Sequence, residues 1–259
     1  MQEIEFTVDY VNFLTESMFE LELFTTNADK LPPMRAGQFI HVKIPTPPFL
    51  LRRPFCIYKF DAKEHYITLV IAIVGKGTES LSRLVAGDRL MGILPLGNGF
   101  TLADNHQKIA LVGGGIGCAP LLRVPLDYPG REFRSYLGFA DKSQVMFADD
   151  FIKVSKVTVS TDDGSYGFKG YVTDAFLQDV KKGFRPDVIL TCGPEPMIRA
   201  VAKIAQEAGI PAYMSGEVRM GCGVGACLVC ACAVREGGEV RNKRACVDGP
   251  VFALGDLVL

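Results

Sequence analysis

The run Cys222-Gly-Val-Gly-Ala-Cys227-Leu-Val-Cys230, with a fourth cysteine at Cys246, constrains this chain more than any other feature. The spacing is C-x4-C-x2-C, then fifteen intervening residues. That is the ligand spacing of plant-type [2Fe–2S] clusters, which are held by four thiolates. A loop wrapped around two irons must turn sharply and aim backbone N–H groups at sulfur. Gly221, Gly223, Gly225 and Ala226 put small residues where those turns fall. The pattern predicts a protein that moves electrons singly, with Cys222, Cys227, Cys230 and Cys246 as iron ligands.

Two other readings stand beside it. Structural zinc also takes four thiolates, but usually from two short C-x2-4-C pairs, and here only Cys227 and Cys230 form one. Disulfides need an oxidising compartment. The N-terminal Met1-Gln-Glu-Ile-Glu-Phe-Thr-Val has no basic segment leading into an apolar stretch, so a secretory signal is not expected and a cytoplasmic setting is. Cys232 lies two residues after Cys230. In an extended segment it faces the same side about 6–7 Å further on, and it is read as non-ligating.

The length, 259 residues, allows one large domain or two to three small ones. A net charge of −1 implies no general attraction to nucleic acid or anionic lipid. No apolar run approaches the ~20 residues of a membrane span. None of the three histidines, His41, His65 and His106, lies in a recognisable motif, and each is read as a surface or loop residue.

Hydrophobic periodicity divides the chain. Up to about residue 100 the pattern is one of short strands. In 18–24, Phe19, Leu21 and Leu23 alternate with Glu20 and Glu22. Further strands are expected over 38–44, 55–60, 66–74 and 89–94, with a short helix over 80–85 stopped by Gly87. This reads as a small antiparallel barrel or sandwich. From 101 to 212 strands (108–112, 133–139, 154–160, 187–191) alternate with helices (145–151, 173–180, 196–208), the signature of a doubly wound parallel sheet. Gly209 suits a helix C-terminus. The segment 213–259 is rich in Gly and Cys and too small to be stable without a metal centre. No repeat or low-complexity linker is present.

Gly113, Gly114, Gly115 and Gly117 follow the strand 108–112. Such a turn brings N–H groups and a helix N-terminus up to a pyrophosphate, although on its own it can be a packing turn. The form is G-x-G-x-x-P, with Pro120 suited to a first helical turn. Asp162 and Asp163 follow the strand 154–160. A carboxylate there can accept from ribose hydroxyls and repel a 2′-phosphate, which favours NAD over NADP; a solvated turn is the other reading. Cys192, Gly193 and Pro194 close another strand, where ligands bind in open α/β sheets. In the first segment Arg52-Arg53-Pro54-Phe55-Cys56 precedes a strand, and Gly75-Lys76-Gly77-Thr78 forms a small loop with N–H groups free for phosphate.

Arg-Pro-x-x before a strand, G-x-G-T, GGGIG-x-AP and CGPEPM, in this order, resemble the ferredoxin–NADP reductase-like flavoproteins. The stretch Glu217-Val-Arg-Met-Gly-Cys222 and the closing Cys246-Val-Asp-Gly-Pro-Val-Phe252 narrow the resemblance. They are similar to the electron-transfer subunits of NAD-linked dihydroorotate dehydrogenases, over essentially the whole chain. The resemblance implies an FAD-binding barrel over 1–100, an NAD-binding α/β domain over 101–212 and a [2Fe–2S] domain over 213–259. It implies that Arg53 meets the FAD pyrophosphate, that Pro54, Phe55 and Cys56 lie along the flavin, and that Ile71 to Val74 pass its ring. Gly75, Gly77 and Thr78 would meet the phosphates, and Gly113 to Gly117 with Cys192 to Pro194 the nicotinamide nucleotide.

The resemblance also implies an FMN-containing catalytic partner, two copies of each subunit in a heterotetramer, and a role in pyrimidine biosynthesis. No motif offers a base for abstracting a carbon-bound proton, so the chain is expected to supply carriers rather than catalytic residues. Two departures stand out: Cys56 replaces the usual Ser or Thr, and Pro125 and Pro129 should shorten the helix after the glycine loop. A reductase passing electrons from NADPH to ferredoxin or sulfur compounds is one alternative. A zinc-bearing redox or nucleotide sensor is another.

Overall fold

The computed structural model describes residues 1–25, 31–45 and 49–258; the expected 1–100 and 213–259 segments include positions outside these. Six strands close an antiparallel barrel: β1 (Gln2–Thr15), β2 (Met18–Phe24), β3 (Phe39–Val42), β4 (Arg53–Asp61), β5 (Tyr66–Ala72) and β6 (Arg89–Leu96), in the spatial order β1-β2-β5-β4-β3-β6. The alternation of β2 works as read: Phe19, Leu21 and Leu23 are buried, and they join Ile4, Phe6, Ile40, Val42, Ile67, Leu69 and Leu90 in the barrel core. Each such side chain contributes about 1.5–3 kcal/mol by leaving water. β1, at fourteen residues, exceeds the short strands expected, and bends through register shifts at Val8/Tyr10 and Phe13/Thr15. The helix expected at 80–85 forms earlier, as α1 (Lys76–Ser82), because Thr78 caps the turn that starts it.

A seven-stranded sheet follows, in the order β10-β9-β8-β7-β11-β12, with β15 (Val251–Ala253) at the edge beyond β12. Its parallel strands are β7 (Lys108–Gly114), β8 (Glu132–Phe139), β9 (Lys156–Thr161), β10 (Phe168–Lys169), β11 (Val188–Cys192) and β12 (Ala212–Ser215). The helices are α2 (Ala119–Asp127), α3 (Ala148–Ile152), α4 (Val172–Lys181) and α5 (Glu195–Ala208). Gly209 ends α5 in the left-handed conformation at φ 62°, as expected of a glycine there. α2 is only nine residues long, with Pro120 in its first turn and Pro125 inside it. The run β7 is buried from Ile109 onward and continues through Gly113 and Gly114, so the first two glycines of the motif are strand residues rather than loop.

The last segment is less separate than composition implies. A hairpin of β13 (Ala231–Glu236) and β14 (Glu239–Arg244) turns at Gly237 and Gly238, both at positive φ. Then β15 (Val251–Ala253) pairs antiparallel with β12, and the boundary at 212/213 falls inside β12. The barrel is joined to the sheet by a shared core that includes Ala36, Tyr58, Val70, Phe100 and Leu111. His41, expected at the surface or in a loop, is instead fully buried on β3.

Candidate functional site

Chain order reverses in the parallel sheet at β7. From β7 the chain steps to β8 and β9, then returns to β11 on the other side. At such a switch point the loops leave in opposite directions and open a crevice at the carboxyl ends of the strands. The two sequence motifs meet there, since Gly113 pairs with Cys192 across β7 and β11. A Cβ on Gly117 would lie 2.5 Å from the Cys192 carbonyl oxygen, and one on Gly114 would lie 2.9 Å from Pro194 Cδ. Only glycine permits this approach. A 3₁₀ turn over Gly115–Cys118 leads into α2 and directs N–H groups to the crevice. Asp162 and Asp163 lie just beyond β9. Asp163 is committed to Ser165, accepting from its N–H at 2.9 Å and its hydroxyl at 2.6 Å. Both carboxylates are exposed, and the pKa of Asp162 is raised by partial burial and by Asp163.

On the barrel, Arg53 opens β4 and is held by the Leu51 carbonyl at 2.9 Å. A Cβ on Gly77 would lie 3.8 Å from Arg53 Nε, so the guanidinium and the Gly75–Thr78 turn share one corner. Thr78 Oγ1 accepts from Val74 N–H at 3.0 Å and donates to the Gly75 carbonyl at 3.0 Å. Its hydroxyl is therefore spent on shaping the turn. Ile71 needs correction: its side chain is buried in the barrel core, leaving only its main chain to line a ligand, whereas Val74 is 85% exposed.

Pro54, Phe55 and Cys56 lie along β4. Burial and the charge of Glu217 push the Cys56 thiol up to about 11. Burial, Cys56, Cys118 and Glu217 together raise Cys192. The β4 thiol, the β11 thiol and the Glu217 carboxylate thus share one neighbourhood at the junction of barrel and sheet. Sequence reasoning used Glu217 only as part of a motif. The signal for its role was its place five residues before Cys222, where the chain leaves β12 across both lobes.

The cysteine loop sits against β3 and β6. Phe39 and Leu96 pack with Cys230, Ala245 and Cys246, and Met220 is partly buried beside them. Cys222 Sγ accepts from Val224, Ala226 and Cys227 N–H groups at 3.5, 3.3 and 3.4 Å. Cys222 N–H in turn donates to Cys227 Sγ at 3.3 Å. Burial opposes ionisation of Cys222, but these N–H groups outweigh it and bring the thiol down to about 6. Gly223, Gly225 and Leu228 take positive φ to make the fan of donors possible. The sulfurs of Cys230 and Cys246 lie 3.2 Å apart, and burial with that close neighbour pushes Cys246 up to about 12.

Among the described residues no three His, Cys, Asp or Glu side chains are arranged to hold a single metal ion. The sulfurs instead form two pairs, Cys222 with Cys227 and Cys230 with Cys246. Two pairs of thiols fit a two-iron centre better than one tetrahedral zinc. Cys232 turns away to the Lys243 carbonyl at 3.5 Å.

Comparison with known proteins identifies the segment that carries these cysteines. Residues 217–258 match the iron-sulfur cluster binding domain of dihydroorotate dehydrogenase B. The dihydroorotate dehydrogenase B (NAD(+)) electron transfer subunit of Streptococcus mutans is 40% identical over 93% of this chain and 93% of its own. That of Geobacillus kaustophilus is 40% identical over 98% of this chain and 97% of its own. Among solved structures, an NADH-dependent reduced ferredoxin-NADP oxidoreductase superposes with a TM-score of 0.86 at 28% identity, covering 97% of this chain and 89% of that one. A Neisseria gonorrhoeae ferredoxin NADP+ reductase shares the fold, with a TM-score of 0.67 at 13% identity over 81% of this chain and 92% of that one. The chain belongs to the family of dihydroorotate dehydrogenase B (NAD(+)) electron transfer subunits.

Proposed function

We propose that three neighbouring regions of this chain hold FAD (1–100), NAD (101–212) and a [2Fe–2S] cluster (213–259), with the ligands at the residues described above. The chain is the electron-transfer component of an oxidoreductase, carrying electrons from a dihydroorotate-oxidising catalytic subunit to NAD⁺ in pyrimidine biosynthesis. When bound, the cluster supplies one-electron transfer and the flavin joins it to two-electron exchange with the nicotinamide.

One relationship carries this reading. Phe39 on β3 packs against Cys230 and Cys246, and pairs in register with Cys56 on β4. Cys56 in turn lies in the field of Cys192 at the nicotinamide crevice. Adjacent strands are about 4.8 Å apart, so one strand pair links the cysteine loop to the flavin face. Arg53 and the Gly77 turn supply charge and N–H groups for a pyrophosphate. Gly113 to Gly117 and Cys192 to Pro194 leave room for a second nucleotide to approach the backbone.

The catalytic partner carries FMN and assembles with this chain as a heterotetramer of two copies each. Val224, Leu228 and Val229 are 39%, 62% and 57% exposed beside the cysteine pairs, an apolar face suited to that partner. Met220, two residues before the first of these cysteines, packs inward instead. No helix among the described residues is long and apolar enough to cross a membrane.

The test uses the full chain loaded with its cofactors. It should oxidise NADH with an artificial acceptor and should not oxidise dihydroorotate. Orotate production with NAD⁺ should appear on adding the catalytic subunit, and should fall in Val224→Glu and Leu228→Glu variants whose visible spectra are intact. Dihydroorotate oxidation by the chain alone would overturn the division of labour.

A further inference from the structure

His41 has no part in the reading above. It is 0% exposed, and neither ring nitrogen makes a well-formed hydrogen bond among the described residues, although the main chain of Cys222 and of Arg52 lies within reach. A buried imidazole without a partner forfeits the water it gave up on folding, so such a group calls for a reason. The strand shows where it points. Ile40 and Val42 face the barrel core, so Phe39 and His41 face the cysteine segment. Phe39 covers Cys230 and Cys246. His41 covers Gly223: a Cβ built on that glycine would lie 2.5 Å from Nδ1. The main chain of Cys222 and of Arg52 borders the ring. Burial, with the charges of Arg52 and Arg53, pushes the imidazole below its ordinary range, and the ring keeps at least one N–H donor in either protonation state.

We propose that His41 is a positioning residue for the cluster: its imidazole seats the Gly223 turn and gives its N–H to the main chain of Cys222, holding the donors of Val224, Ala226 and Cys227 on the Cys222 sulfur. The proposal rests on the reading that the four cysteines hold a [2Fe–2S] cluster. Hydrogen bonds to the ligating sulfurs are among the factors that set the potential of such a centre. Donors that stabilise the added negative charge make reduction easier. Releasing the turn from β3 lets the three N–H groups drift from the sulfur, and the cluster becomes harder to reduce. The barrel thereby sets a property of the cluster without supplying a ligand.

The experiment compares wild type, His41→Leu and His41→Gln as full chains with cofactors loaded. Leu fills a similar volume with no donor, and Gln restores one. The readouts are iron content, the low-temperature EPR spectrum of the reduced protein, and the cluster midpoint potential from a redox titration. FAD content and flavin reduction by NADH report whether the barrel is intact. His41→Leu should keep FAD and iron but show shifted g-values and a more negative midpoint; His41→Gln should lie near wild type. Should His41→Leu not fold, His41→Met, apolar and adaptable, takes its place. Wild-type potential and spectrum in the apolar variant would overturn the proposal, as would equal shifts in the apolar and Gln variants. A wild-type protein without a [2Fe–2S] signal would remove the reading beneath it as well.

Discussion

The hydroxyl of Tyr58 on β4 donates to the Asp150 carboxylate on α3 at 2.8 Å, and this bond helps to tie the barrel to a helix of the parallel sheet. Lys59 Nζ reaches the same oxygen at 2.6 Å, and Lys153 the other at 3.0 Å. Burial opposes the charge on Asp150, but Lys59, Tyr58 and Lys153 outweigh it and bring the carboxyl down to about 2.

Asp150→Ala leaves the buried Tyr58 hydroxyl without its acceptor, and should cost about 1–3 kcal/mol in urea unfolding at pH 7. The pH dependence has a definite sign. An unfolded Asp titrates near 3.9, above the folded value, so the contribution of Asp150 is complete above about pH 4. It fades as pH falls from about 4 toward 2. The variant should lose less stability than wild type across that window; identical losses would remove the argument.

Changing any one of Cys222, Cys227, Cys230 or Cys246 to Ala should abolish most of the iron and the visible charge-transfer bands. Cys232→Ala should keep both, because its thiol already faces the Lys243 carbonyl on the hairpin. Iron analysis and absorption spectra decide it, and a bleached Cys232→Ala protein beside a coloured Cys230→Ala one would reverse the ligand assignment.

Gly117→Ala should impair nicotinamide use and spare the flavin. The added Cβ would fall 2.5 Å from the Cys192 carbonyl oxygen and 2.6 Å from Gly193 Cα, both backbone atoms that cannot swing aside. The crevice must widen or the loop must shift. The KM for NADH is expected to rise tenfold or more, roughly 1.4 kcal/mol, with FAD content unchanged. A wild-type KM would show that this approach has no bearing on the nucleotide.

Asp162→Ser should narrow the preference for NADH over NADPH. Asp162 is exposed beyond β9 and Asp163 is engaged by Ser165, so the first carboxylate is the one available to repel a 2′-phosphate. An exposed charge of this kind is worth up to about 1 kcal/mol, a threefold to fivefold change in the ratio of kcat/KM. Stopped-flow flavin reduction with each nucleotide measures it, and an unchanged ratio would leave Asp162 as a solvated turn residue.

Much of the molecule was legible because its signals are local. The alternation in 18–24 fixed which face of β2 is buried, since side chains on a strand point to opposite sides in turn. The unbroken apolar run of β7 marked a strand covered on both faces. The spacing of four cysteines pointed to an iron–sulfur segment, which the family match over 217–258 bears out, because thiolate ligation constrains loop length tightly.

What the chain alone left open depends on residues far apart in sequence. Whether Ile71 faces a ligand or the barrel core is decided by barrel closure, which turned it inward. Whether Met220, Val224 and Leu228 pack or project is decided by Phe39 and Leu96, more than a hundred residues earlier, which cover Met220 and leave the other two exposed. His41 looked like a stray polar residue because nothing in its neighbourhood of sequence explains it. Its partner is the turn at Gly223, brought to it only when the last segment folds back over β3. Local chemistry is written in the order of residues, but burial and proximity between distant segments exist only once the core has closed.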